Sequence, residues 1–146
     1  MLLARYVLNS NHEPVPCDDL VTWKAWMGTP ERWVQDTLIT DPTKCQVRVC
    51  TVFLGLDVSF GVEGPVLFET MVLGGTCDRE LYRYCTWDEA QAGHGAIVER
   101  VKKYDRQMAD NPVVLEARDL ANRTLETSAR TVVKTLIEQS QSTLPS

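Results

Sequence analysis

The sequence predicts an α+β fold: an antiparallel sheet of three or four strands with helices mainly on one face, followed by a long C-terminal helix. Three observations carry this prediction. Gln46–Leu54 alternates side by side, setting Val47, Val49, Thr51 and Phe53 on one face of a strand. Thr86-Trp-Asp-Glu89 is a capping box, in which hydroxyl and carboxylate satisfy each other's backbone amides at a helix start. From there Ala90, His94, Ile97, Val101, Tyr104 and Met108 recur at steps of three and four, so one face of a long helix is apolar.

The remaining elements follow in chain order. Arg5–Leu8 reads as a short strand ended by Asn9-Ser10-Asn11. His12–Cys17 holds Pro14 and Pro16 and must be extended or turned. Asp18 or Asp19 caps a helix whose Leu20, Trp23 and Met27 share a face, and Gly28 stops it. A strand is expected near 33–40, closed by Asp41-Pro42. Both faces of the 46–54 strand are apolar, which predicts a central position. Val66–Leu73 is a further apolar run, with Val66, Phe68, Thr70 and Val72 expected toward the core and Leu67, Glu69 and Met71 on the other face. Gly74-Gly75 is expected to end the sheet.

Asp110-Asn111-Pro112 breaks the long helix and starts another, with Asn as cap and Pro at the first helical position. This last helix is expected to run to about Gln139, some 40 Å at 1.5 Å per residue. It outreaches a domain of this size, so Val132, Val133, Leu136 and Ile137 at its distal end are expected to form an oligomer interface. The chain is accordingly divided into an α+β domain, 1–110, and a helical extension with a flexible tail, 111–146.

Composition narrows the function. At 146 residues and 44% hydrophobic, the chain can build a core without metal or disulfide staples. A net charge of −5 with scattered basic residues argues against general nucleic-acid binding. No segment approaches the roughly 18 apolar residues that span a bilayer, and MLLARYVLNSN has too short an apolar run for a signal peptide. Five cysteines, an odd number, are expected to be reduced thiols in a cytosolic protein. Cys45-x4-Cys50 and Cys77-x7-Cys85 lack zinc-knuckle spacing, so no metal and no cofactor is expected. No nucleophile elbow, phosphate-binding loop or dinucleotide fingerprint appears.

Two histidines and two carboxylates form the candidate ligand-binding set. His94 lies on the apolar stripe between Gly93 and Gly95, and two helical glycines suggest the close approach of a backbone or ligand. His94 reads either as a buried, bonded core histidine or as an acid–base group beside Glu69 or Asp57. Glu69 lies between two large apolar neighbours, at a groove rim or in an ion pair. His12 sits in a stiff, proline-bounded loop.

The strings Asn11-His-Glu-Pro-Val-Pro-Cys-Asp-Asp-Leu20, Thr51-Val-Phe-Leu-Gly-Leu-Asp57, Pro65-Val-Leu-Phe-Glu-Thr-Met-Val72 and Thr86-Trp-Asp-Glu-Ala90 with Gly93-His94 carry a resemblance. From Asn9 to Val101 the chain resembles a family of uncharacterised small proteins encoded by tailed phages and prophages, especially those of actinobacteria. The resemblance implies an origin rather than an activity, and the segment from Asn111 onward looks like an addition to the family pattern. The expectation is a non-enzymatic interaction protein in the host cytoplasm, acting on a host protein and on its own copies. The alternatives are a small-ligand-binding protein or hydrolase with a pocket near His94, Glu69 and Asp57, and a virion component.

Overall fold

The structure, a computed structural model, describes residues 3–40, 46–60 and 64–142. It divides into two compact units, Met1–Arg106 and Gln107–Ser146. The first opens with a small antiparallel ribbon of β1 (Tyr6–Leu8) and β2 (Pro14–Pro16). Asp19 then accepts from the Thr22 amide and starts α1 (Leu20–Met27), which Gly28 closes. A single 3-10 turn, Pro30–Arg32, leads into the sheet.

Four antiparallel strands make that sheet: β3 (Trp33–Thr40), β4 (Gln46–Phe53), β5 (Phe68–Leu73) and β6 (Leu81–Tyr84), in that spatial order. The capping box then opens α2 (Trp87–Ala109): Glu89 Oε2 accepts from the Cys85 and Thr86 amides, and Thr86 Oγ1 accepts from the Glu89 amide. Helix α2 lays Ile97, Val98 and Val101 against Val47, Val49 and Val72, while Ala90 joins a second cluster with Phe53, Leu67 and Phe68. The expected alternation of β4 is present, with Val47, Val49, Thr51 and Phe53 all buried.

Two expectations need correction. The sheet does not end at Gly74-Gly75. Both glycines take positive φ (+88° and +70°) in a turn whose Gly74 amide donates to Asp78 Oδ1, and the chain returns as β6. Leu67 is fully buried rather than outward, because it precedes β5 and is not bound by that strand's alternation. Strand β4 is interior in the sheet, as its two apolar faces predict, and among the described residues only one of those faces is covered. On the other, Leu38, Leu73 and Leu81 remain exposed around half-buried Cys50, Val52 and Met71.

The second unit contains α3 (Pro112–Ser142), 31 residues long. Asn111 Oδ1 accepts from the Val113 amide, the expected cap. Apart from half-buried Val114, every described side chain of α3 is exposed. Among the described residues no helix is long and apolar enough to cross a membrane. The last four residues of the expected flexible tail lie outside the described residues, as does Asp41-Pro42.

Candidate functional site

His94 is the most enclosed polar group of the four candidates, with no exposed surface. Its position on α2 faces the covered side of the sheet, where alternation presents a threonine from each of three strands. Thr37 Oγ1 of β3 lies 2.8 Å from His94 Nε2, and Thr51 Oγ1 of β4 lies 2.7 Å from Nδ1. Thr51 is bonded in turn to Thr70 Oγ1 of β5 at 2.6 Å. A neutral imidazole has one donor and one acceptor nitrogen, and the hydroxyls can supply the complement of either tautomer. Burial pushes the His94 pKa down, and the charge of Asp36 only partly opposes that. The arrangement satisfies a core histidine completely and leaves no free ring nitrogen for a substrate proton.

The other candidates do not join it. Glu69 adjoins Thr70 on β5 and so points to the opposite, open face. There it receives a 3.0 Å hydrogen bond from Arg83 Nε and is mostly buried beneath that pairing. Asp57 is spent on its own loop, accepting from the backbone amides of Ser59 and Val66 at 2.9 and 3.0 Å. Burial raises its pKa, but these bonds together outweigh that and hold the carboxyl below its ordinary value. The pocket expected near His94, Glu69 and Asp57 is therefore not assembled.

Gly93 explains itself without a ligand. A Cβ there would stand 2.3 Å from the Tyr84 ring, so the close approach expected at this glycine is that of an aromatic side chain. Gly95 faces open space.

His12 occupies a different place, at the tip of the β1–β2 ribbon. Asn9 organises that tip: its Oδ1 accepts from the Asn11 and Glu13 amides, and its Nδ2 donates to Glu13 Oε2. The turn holds His12 at φ +60° with its ring stacked on Trp87, centroids 3.9 Å apart and planes 9° from parallel. Beside it lies a cleft of about 310 Å³ lined by Leu8, Asn9, Ser10, His12, Trp26 and Glu31. Sequence reasoning missed Trp26, Trp87 and Glu31 here, because nothing local to 9–13 announces partners 14 to 75 residues away.

Among the described residues no group of three or more His, Cys, Asp or Glu is placed to hold a metal ion. Cys17, Cys50, Cys77 and Cys85 are free thiols, and Cys45 lies outside the described residues. Burial raises the pKa of Cys50 and Cys77, which disfavours their thiolates.

The expected interface residues lie on α3. Val133 and Ile137 line an open groove of about 500 Å³ with Ala129, Arg130, Lys134 and Glu138. Val132 and Leu136 are exposed on the neighbouring strip of the helix. Comparison with protein families, with curated proteins and with solved structures finds no match.

Proposed function

We propose that this chain is a non-enzymatic interaction protein that associates with copies of itself through α3. One observation carries the reading: a 31-residue helix whose large apolar side chains, among them Leu125 at 68% and Leu136 at 59% exposure, lie open to solvent. Such a stripe on an otherwise charged helix is stabilised when a partner removes it from water, at about 25 cal/mol per Å². A second copy is the simplest partner, because a two-fold contact covers both stripes at once.

The condition of the candidate catalytic groups supports the same reading. His94 is fully engaged by uncharged hydroxyls, Asp57 by its own loop and Glu69 by Arg83. The resemblance to phage-encoded proteins supports taking any further partner to be a host protein, met in the host cytoplasm.

Light scattering on the full chain and on a chain ending at Asp110 tests the proposal. The full chain is expected to be dimeric at micromolar concentration and the shortened one monomeric. Two monomers would refute it. A small-ligand reading keeps one observation in its favour, the cleft beside His12, and would show as ligand-dependent quenching of tryptophan fluorescence that His12→Ala abolishes.

A further inference from the structure

Helix α3 repeats on an eleven-residue period. Val114, Leu125 and Leu136 stand eleven residues apart, and so do Ala121 and Val132. Eleven residues complete three turns at about 3.67 per turn, close to the 3.6 of an undistorted helix. A face written with this period runs nearly straight along the helix instead of drifting around it. Ala129 falls on the same face, whereas Glu116, Arg123, Arg130 and Lys134 fall on the far side, toward water.

Resting on the self-association proposed above, we infer that this face pairs with the same face of a second copy, antiparallel and centred on Leu125. Leu125 then meets its own counterpart. Ala121 meets Ala129 of the partner subunit, and Val114 meets Leu136 of the partner subunit. The small Ala–Ala contacts on either side of the centre let the axes approach to the lower end of the usual 8–10 Å.

The helix dipoles favour one orientation. A parallel pair would set like dipole ends side by side, whereas the antiparallel pair opposes the two dipoles, each carbonyl end meeting an amide end.

The area fits a reversible dimer. Each large aliphatic side chain brings on the order of 60 Å², and with flanking Leu115 and Val133 the contact reaches roughly 500 Å² per partner. That is below the roughly 800 Å² per partner of a standard stable interface, the size class of weak and transient contacts.

Sedimentation of the full chain and disulfide trapping test the pairing together. Leu125→Glu is expected to weaken the dimer at least tenfold, and Arg123→Glu, on the far side, to leave it intact. The thermal transition of the Met1–Arg106 unit serves as a check that both variants fold. Ala121→Cys and Ala129→Cys chains, mixed and mildly oxidised, are expected to join to each other, with the linked peptides identified by mass spectrometry so that native cysteines are not counted. A wild-type chain that stays monomeric would refute self-association itself. A dimer indifferent to Leu125→Glu would refute this face alone. Ala121→Cys joining to itself in preference to Ala129→Cys would refute the antiparallel orientation.

Discussion

Helices α2 and α3 carry apolar residues at the same helical spacing, yet six side chains of α2 are buried and no described side chain of α3 is. The difference lies in how closely each stripe is matched to one particular surface. The stripe of α2 contains a notch at Gly93 that receives the Tyr84 ring and an imidazole that threonines of two strands satisfy, one of them bonded in turn to a threonine of a third. Among the described residues the stripe of α3 is aliphatic and small, without a polar group that requires a single answering partner. Periodicity thus announces that a face wants covering, and only its irregular members say by what.

Substitutions in the two stripes should therefore differ in kind. His94→Ala removes a fully buried ring and takes one hydrogen-bond partner each from Thr37 and Thr51, so a loss of about 2–4 kcal/mol in denaturant unfolding is expected. Leu125→Ala, measured dilute enough for monomers, should change stability by less than about 0.5 kcal/mol. Equal losses at the two sites would break the comparison.

Within α2 the two glycines flanking His94 sharpen it further. Gly93→Ala drives a methyl into the Tyr84 ring and should cost about 1–3 kcal/mol, as overpacking does. Gly95→Ala meets nothing within 4 Å and should stabilise by up to about 1 kcal/mol through helix propensity. Melting temperatures moving in the same direction would show that the notch is not what sets Gly93 apart.

A smaller effect is expected in pH. The folded-state pKa of His94 is below its ordinary value of 6.5, so the unfolded chain takes up a proton first as pH falls. Its contribution is fully present above about pH 6.5 and declines below it. The stability difference between wild type and His94→Gln should shrink between pH 7.5 and pH 5.5; a constant difference would count against a neutral buried imidazole.

Much of this was readable in the residues. Alternation placed β4, the capping box placed the start of α2, and Asn111-Pro112 placed the start of α3, because each is a short-range device that operates on its own neighbours. Strand β6 was not readable: Leu81-Tyr-Arg-Tyr84 is four residues long, and its pairing depends on a glycine turn that also looks like a terminus. The apolar residues on both sides of β4 agree with its interior position, although they state what the strand contains and not what packs there. The site fared worse than the fold. His94 was correctly placed on the buried stripe, but its threonine partners come from strands 43 and 57 residues away. Likewise the stacking of His12 on Trp87 joins residues that share no local pattern.

The threonine–histidine chain has one more consequence, which concerns the structures this sequence does not adopt. Apart from Thr51 and Thr70 the covered side of β4 and β5 is apolar, Val47, Val49 and Phe53 facing Phe68 and Val72, and a wholly apolar face could slide by two residues and still bury apolar groups against each other. The polar members forbid it. Sliding β5 by two residues along β4 would set Phe68 or Val72 against Thr51 in place of Thr70, and sliding it by one would turn Thr70 to the open side. In either case a buried hydroxyl loses its partner, at a cost of about 1–3 kcal/mol for each group left unsatisfied. The network works as a key: it adds little to the correct pairing and penalises the incorrect ones, so that three strands and a helix close in only one alignment.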